Sequence, residues 1–295
     1  MHAEDLFEKV TAELVAAIEA GAGGWQMPWR RLGAAGVPRS IDGRPYRGWN
    51  ALVLGMTAAD RGWSNVWGTY RSWQRHGGQV RRVEHGTQVV LWKPTERPDR
   101  DEPDTETART RRSLLARAFT VFAAEQVDGD RAVDLSPAAP MTAGAAAGCF
   151  AAIGARVVRG GDVACYVPGS DTIHLPMVEQ FSHPDHAAST ECHEHVHWTG
   201  HPSRLARDLS GRFGDQAYGA EELVAELGAA FWSAQVGLEQ AVRDDHARYL
   251  GDWLTILRAD SRALVAACGH AQRALDFLNA AAGVATGAES LEEAS

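Results

Sequence analysis

The segment ECHEHVHWTGH, residues 191–201, places four histidines and two glutamates within eleven positions. His193, Glu194 and His197 form the pattern His-Glu-x-x-His. On a helix, residues four apart lie one turn above each other, so both imidazoles can point at the same metal ion. Glu194 lies about 100 degrees further round the turn, where its carboxylate can accept a proton from a water at the metal. The pattern therefore predicts a zinc peptidase centre with two nitrogen ligands and a carboxylate base.

A third protein ligand is needed to support so short a motif, and the metzincin class offers one place to look for it. In metzincins the motif continues to a glycine and then to a third histidine three residues later. Gly200 fits, but Ser203 occupies the histidine position and His201 comes two residues too early. All five methionines precede the motif, whereas the methionine turn of that class follows it. The sequence therefore excludes the metzincin arrangement.

The other place for a third ligand is a following helix, which is predicted at residues 218–237. The apolar residues of this segment repeat with helical spacing, so one face should pack inward. Glu222 and Glu226 lie four apart on one stripe of that helix. We predict that Glu222 is the third metal ligand and that Glu226 hydrogen bonds the outer ring nitrogen of a ligand histidine. Glu221 competes with Glu222 for the ligand role, and a solvated acidic helix face is the alternative to a metal site.

Composition limits the class of protein. A chain of 295 residues with 45% hydrophobic residues can form one large or two ordinary domains with a real core. No apolar run approaches the roughly 18 residues of a membrane span, and the acidic N-terminus is unlike a secretion signal. The four cysteines include no CxxC pair, so neither a disulfide framework nor a cysteine zinc site is indicated. We expect a cytoplasmic protein with no membrane partner.

The net charge of −9 conceals a basic segment at residues 22–93, which has eleven bases and three acids. The same segment holds seven of the ten tryptophans. Aromatic rings that stack on bases, next to cations that contact phosphates, are what binding of single-stranded DNA requires. About half of these tryptophans should instead be buried, because small domains also use tryptophan to build a core. The residues expected to contact DNA are Trp29, Arg30, Arg44, Tyr46, Arg47, Trp49, Trp67, Arg71, Trp73, Arg75, Arg81, Arg82, Trp92 and Lys93.

The first predicted domain covers residues 1–128 and belongs to the α+β class. Its helices are expected at 3–20, at 51–61 with Asn50 as the cap, and after a second cap at Thr69. Strands are expected at 87–93 and 117–127, joined by a flexible acidic loop at about 94–113.

The second predicted domain covers residues 141–282, follows a linker at 129–140 and is mostly helical. It begins with a helix at about 141–155. A short hairpin of strands at 164–167 and 172–176, joined by the turn at 168–171, precedes the histidine motif. Residues 283–295 are expected to be a disordered tail.

The chain resembles the ArdC-type antirestriction proteins of plasmids and phages over about residues 5–280. The resemblance is carried by GRPYRGWN (43–50), GGQVRRVEHGTQVVLW (77–92), FAAEQV (122–127), WLTIL (253–257) and the long block from HEHVHWTGH to ELGAAF (193–231). It implies an N-terminal single-stranded-DNA-binding domain joined to a C-terminal zincin-like metallopeptidase domain. It also implies that His193, His197 and Glu222 hold one Zn²⁺, or another divalent ion such as Mn²⁺, and that Glu194 is the catalytic base. His195 and Cys192 stand where the family usually has apolar residues.

Three functions share these residues. The chain could be a zinc peptidase that acts on a protein on or near single-stranded DNA, and so protects incoming plasmid or phage DNA from host restriction. It could protect that DNA by coating it without proteolysis, with a structural metal site. It could also be a repair peptidase that digests proteins bound to DNA.

Overall fold

The structure is a computed structural model that describes residues 3–20, 29, 32, 36–98, 110–129, 139–211, 215–238 and 246–284. The helices of these residues are α1 Ala3–Ala20, α2 Gly48–Arg61, α3 Tyr70–Arg75, α4 Ala143–Ile153, α5 Pro184–Thr199, α6 Gln216–Val236, α7 His246–Ala259 and α8 Arg262–Ala281. The strands are β1 Arg39–Ser40, β2 Val66–Gly68, β3 Gln79–Val80, β4 Thr87–Pro98, β5 Thr110–Ala123, β6 Val127–Asp128, β7 Arg156–Arg159, β8 Cys165–Val167 and β9 Thr172–Leu175. Mixed helices and strands confirm the predicted α+β class.

The N-terminal part is built on a four-stranded sheet with the order β1-β2-β5-β4. The long hairpin of β4 and β5 pairs Thr87 with Val121 at one end and Pro98 with Thr110 at the other. The predicted strands were therefore too short on the loop side, and the predicted loop at 94–113 was too long. Backbone hydrogen bonds continue the ladder into a polar stretch that side-chain hydrophobicity cannot reveal. Residues 99–109 lie outside the described residues.

Helix α2 begins at Gly48, so the prediction that Asn50 caps a helix at 51–61 was wrong. The Asn50 side chain instead crosses to β4, where its amide donates to the carbonyl of Val90 at 2.8 Å and its oxygen accepts from the Val90 N–H at 2.8 Å. Thr69 does cap α3, because its hydroxyl accepts a hydrogen bond from the Ser72 N–H at 3.1 Å. A polar residue before a helix thus indicates a cap only when no other backbone competes for its side chain.

The C-terminal part places a small sheet beside a group of helices. The sheet has the order β7-β9-β8, in which β7 is parallel and β8 antiparallel to β9. The predicted hairpin corresponds to β8 and β9, and the turn between them includes Asp171 with a φ of 48°. Strand β7 was not predicted. β8 is an edge strand of this sheet and contacts α5, so a strand edge that pairs with no other strand among the described residues lies close to the histidine motif.

A continuous apolar core joins the two parts of the chain. Helix α1, predicted at 3–20, buries one apolar stripe, since Phe7, Leu14 and Ile18 are buried and Val10 packs against the same core. Helix α1 contacts α7 and α8, and the Thr11 hydroxyl donates to the Ser261 carbonyl at 3.2 Å. The N-terminal helix therefore completes the packing of C-terminal helices. Most of the predicted linker lies outside the described residues, as does the predicted tail from residue 285.

No helix among the described residues has both the length and the apolar character needed to cross a membrane.

Candidate metal centre

Two packed helices bring three potential metal ligands together. His193 and His197 lie one turn apart on α5, and their Nε2 atoms are 3.2 Å from each other. Glu222, on α6, places its two carboxylate oxygens 3.4 Å from Nε2 of His193 and 3.5 Å from Nε2 of His197. One ligand atom from each residue lies within 4.8 Å of the other two, so the three could hold a metal ion.

The outer nitrogens of both imidazoles face carboxylates. Nδ1 of His193 lies 3.3 Å from Glu226 Oε1, and Nδ1 of His197 lies 3.1 Å from Glu221 Oε1. A carboxylate on the outer nitrogen fixes the ring orientation and leaves Nε2 as the lone-pair donor. Both rings are therefore oriented so that their inner nitrogens point at the same place as the Glu222 carboxylate.

Glu221, which competes with Glu222 for the ligand role, is held on the outer side of His197. Arg207 clamps it with two hydrogen bonds, from Nε to Oε2 at 2.9 Å and from Nη2 to Oε1 at 2.8 Å. A carboxylate bound to both arginine and histidine has its lone pairs already engaged. The geometry therefore groups Glu222, and not Glu221, with the two inner nitrogens.

The electrostatics of the centre favour a bound positive charge. Burial opposes protonation of His197, but the negative charges of Glu222 and Glu221 outweigh it and raise the pKa of His197 to about 10. Burial alone would raise the pKa of Glu222, yet the two histidines lower it well below its usual range. Glu222 Oε2 is also buried and, among the described residues, accepts no hydrogen bond. Two imidazole nitrogens and a carboxylate oxygen suit Zn²⁺ and also accommodate Mn²⁺, so the residues fit a divalent ion.

Glu194 occupies the same helix as the two histidines and is buried. Burial raises the pKa of the half-buried Cys165 thiol on β8, and the negative charge of Glu194 raises it further. Helix α5, which carries Glu194, also contacts the edge strand β8.

The remaining histidines of the motif lie elsewhere. The His195 ring stacks on Phe150 with a centroid distance of 4.9 Å, and its Nδ1 lies 2.8 Å from the Glu191 carbonyl. Burial lowers the pKa of His195 to about 4, so it is a neutral core residue. His201 bonds to the Ser203 hydroxyl through Nδ1 at 2.7 Å.

Two arginines near the centre were missed by the sequence analysis. Besides clamping Glu221, Arg207 donates to the Val196 carbonyl at 2.6 Å and to the Thr199 hydroxyl at 2.8 Å, which ties the end of α5 to α6. Arg204 covers the Trp198 ring at 3.8 Å and pairs with Asp171 of the β8–β9 turn. Both arginines follow α5 in an irregular segment with no periodicity, so only their place within the block that carries the family resemblance could have indicated them.

The tryptophans predicted to stack on bases are mostly inside the protein. Trp29, Trp67 and Trp73 are 0% exposed and Trp49 is 3% exposed. The Trp73 indole N–H also donates to the Phe122 carbonyl at 2.9 Å. Base stacking does not fit these four residues, because a base needs an open ring face. Their rings stabilise the core instead.

The remaining candidates for DNA contact lie on or near the surface. Arg44, Arg71, Arg75, Arg82, Trp92 and Lys93 are exposed, and Tyr46 is half-buried. Arg81 pairs with Glu84 and Asp128, and Arg47 pairs with Asp276 of α8, so these two already have acidic partners. Tyr70, which the sequence analysis passed over, is 43% exposed and shares α3 with Arg71 and Arg75. Arg30 lies outside the described residues.

A helix with two histidines one turn apart, a second helix with a facing glutamate and a small sheet with an edge beside them are the components of a zincin-like metallopeptidase domain. Residues 144–270 match the family described as zincin-like metallopeptidase. Residues 4–122 match the N-terminal domain of anti-restriction factor ArdC. The chain belongs to the ArdC antirestriction family.

Known proteins resemble the chain along nearly its whole length. Two crystal structures of antirestriction protein ArdC from plasmid R388, one metal-free and one Mn(II)-bound, are 36% and 34% identical, with TM-scores of 0.76 and 0.74. They cover 95% and 94% of this chain and 98% of their own. Uncharacterized protein y4eC of Sinorhizobium fredii (strain NBRC 101917 / NGR234) is 39% identical over 94% of this chain and 92% of its own length. DNA primase TraC of Escherichia coli is 34% identical over 92% of this chain, which spans only 27% of that protein.

Proposed function

We propose that the chain is an antirestriction protein that binds single-stranded DNA and cleaves a protein on or near that DNA, in the cytoplasm of a cell that receives plasmid or phage DNA. The observation that carries the proposal is the convergence, beside an edge strand, of His193 and Glu222, which are buried, and His197, whose side chain is only 12% exposed. Burying three such groups costs free energy unless a charge or a partner compensates, so their convergence indicates a site.

His193, His197 and Glu222 would hold the ion, which we propose to be Zn²⁺, with Mn²⁺ as the alternative that the Mn(II)-bound R388 structure supports. A divalent ion at this place supplies Lewis-acid polarisation of a peptide carbonyl and of an attacking water. Glu226 and Glu221 hold the outer ring nitrogens and so keep both imidazoles in the ligating orientation.

Glu194 would accept the proton of the attacking water and pass it to the leaving amine. The contact of its helix α5 with β8 supports this role, because β8 is an edge strand among the described residues, along which an extended peptide can pair. A peptide paired there would have its backbone next to both the base and the ligands.

The exposed cations and aromatics of the basic segment would bind the single strand. Tyr70 is 43% exposed and Trp92 is 39% exposed, with one face of the Trp92 ring stacked on Phe7, and Arg71, Arg75 and Arg82 lie on the same part of the chain. Binding the strand would tether the peptidase and raise its local concentration relative to proteins on the same DNA. DNA would then determine which proteins come within reach.

The peptidase proposal is tested by incubating metal-loaded protein with DNA-binding proteins, with and without single-stranded DNA. Glu194→Gln is expected to lower the cleavage rate by roughly 100- to 10,000-fold, the contribution of a general base, while the exposed control Glu179→Gln keeps the wild-type rate. Equal cleavage by wild type and Glu194→Gln would refute the mechanism. If Glu194→Gln keeps full protection of incoming DNA, the function is strand coating without proteolysis.

The DNA-binding proposal is tested by the salt dependence of affinity for an unstructured single strand. Arg71→Ala, Arg75→Ala and Arg82→Ala are each expected to lower the slope of log affinity against log salt by roughly 0.7, the value for one phosphate contact on a single strand. Arg156→Ala, an exposed arginine on β7, is the matched control and should leave the slope unchanged. An affinity that does not change with salt would exclude an electrostatic strand-binding surface.

A further inference from the structure

A cavity of about 190 Å³ lies between α2 and the two helices α6 and α8, and we call it the α2–α8 cavity. Its apolar walls include Val37, Pro38, Phe231 and Leu275. Ala234, which also lines it, follows Glu222 on α6 by twelve residues, a rise of roughly 18 Å along a helix. The cavity is therefore separate from the metal centre, although one helix contributes to both.

Polar groups at the α2 end of this cavity are fixed by contacts across it. Arg47 pairs with Asp276, and the Gln272 oxygen accepts the N–H of Gly48, at the start of α2, at 2.9 Å. The Gln272 amide also donates to Asp276 Oδ1 at 3.1 Å. A guanidinium, a carboxylate and a carboxamide are thus held in set orientations at one end of an apolar space.

Two further carboxamides, which pair with each other, also line the cavity. Gln235 and Asn279 exchange two hydrogen bonds, at 3.1 and 3.0 Å, which hold the two carboxamides in a fixed orientation relative to each other. A pair fixed in this way can still offer its remaining N–H donors and oxygen lone pairs to a ligand. The polar groups of this cavity therefore include both donors and acceptors.

The chemistry of these walls matches a flat heterocycle. Carboxamides, carboxylates and guanidinium groups are the side chains that read the hydrogen-bonding edges of bases. The half-buried Tyr46 ring, also part of the lining, supplies an aromatic surface of the kind on which bases stack. The volume is below the roughly 300 Å³ at which sites for drug-sized ligands begin, so it suits one ring system.

We propose that the α2–α8 cavity binds a single nucleobase, which comes either from an unpaired DNA strand or from a free nucleotide. Arg47 is partly exposed at the cavity, so it can meet the attached phosphate while Asp276 continues to hold it. The strand source rests on the single-strand binding proposed above, whereas the free-nucleotide source does not.

The test is a substitution that fills the cavity, followed by measurement of how strongly binding of a strand depends on its bases. Ala234→Leu places a larger side chain in the cavity, and Ala151→Leu, which adds the same side chain at an exposed position of α4, is the control. Each protein is titrated with a single-stranded oligonucleotide, with an abasic strand of equal length, and with adenosine, cytidine, guanosine and thymidine. Ala234→Leu is expected to reduce the preference for the base-bearing strand roughly tenfold, within the range for one stacked base, and to abolish nucleoside binding, while Ala151→Leu matches wild type.

The outcomes separate this inference from the proposed function. Loss of nucleoside binding in Ala234→Leu with an unchanged strand preference supports a free nucleotide as the source. The inference is overturned if wild type binds no nucleoside and folded Ala234→Leu keeps the wild-type strand preference. If wild type binds nucleosides but no strand, strand binding fails and the cavity site stands. Ala234→Val repeats the measurement with a smaller addition, so that misfolding of Ala234→Leu does not decide the result.

Discussion

The tryptophans of the basic segment and the histidines and glutamates of the metal centre are both conspicuous in the sequence, and most members of both sets are buried. The burial has opposite meanings in the two regions. An indole such as Trp67 gains free energy when it leaves water, so its burial is explained without any function. A carboxylate such as Glu222 loses free energy unless something compensates it, so its burial requires a partner. Burial therefore weakens a functional assignment based on aromatic residues and strengthens one based on charged residues.

The largest effect is expected on metal affinity when a metal ligand is removed, and it tests whether the buried charged groups form a metal site. His193→Ala should lower metal affinity by more than roughly 100-fold, because even the outer partners of metal ligands contribute 10- to 100-fold. Metal content after gel filtration, measured by elemental mass spectrometry, checks this. The exposed control His85→Ala should retain metal. If His193→Ala kept the wild-type metal content, the buried polar cluster would have to be a structural network.

The second prediction contrasts a buried and an exposed aromatic of the basic segment. Trp67→Ala should lower the free energy of unfolding by about 3–5 kcal/mol, since it empties a fully buried position. Tyr70→Ala should change it by less than about 0.5 kcal/mol, as is usual on the surface, and should weaken strand binding by about 1–3 kcal/mol. Urea unfolding and fluorescence anisotropy measure the two quantities. A stable Trp67→Ala variant with lost DNA binding would reverse the roles assigned here.

The smallest of the three effects is expected at the outer side of the metal centre. Glu226→Gln should lower metal affinity roughly 10- to 100-fold, because a carboxamide is a weaker acceptor for the outer N–H of His193. Competition with a chelator of known affinity measures the change, and Glu179→Gln is the matched control. An unchanged affinity would mean that the Glu226 carboxylate does not orient the imidazole.

Features with a regular period could be predicted from the sequence, and features made by single long-range contacts could not. The buried stripe of α1 and the approach of His193 to His197 follow from helix geometry alone. The sequence predicted Glu222 as the third ligand but left Glu221 as a competitor, because the Arg207 clamp that engages Glu221 is a long-range contact. Strand β7 lies parallel to β9, and the two residues of every pair are 16 positions apart in the sequence, a contact that local patterning does not encode.

The DNA-contact residues were the hardest to predict for a related reason. A sequence that alternates tryptophan with arginine is typical both of the border of a hydrophobic core and of a nucleic-acid-binding surface. The two cases differ only in whether each side chain points into the protein or into solvent. Apart from the adjacent Arg71, nothing in the sequence around Tyr70 indicates that its ring is exposed. Asn50 resembles a helix cap and instead binds β4.

The packing of α1 against α7 and α8 determines which parts of the chain must stay together when genes recombine. Leu14 and Ile18 belong to the same core as Trp253, so a fragment of residues 139–284 would leave an apolar face uncovered. The two parts of the chain that match different families are therefore joined by a shared apolar core as well as by the peptide chain. Recombination could exchange the whole of this assembly without loss, but an exchange of either half would require a partner with a matching N-terminal helix. The match to the longer TraC protein spans 92% of this chain and so includes both the N-terminal helix and the helices it packs against.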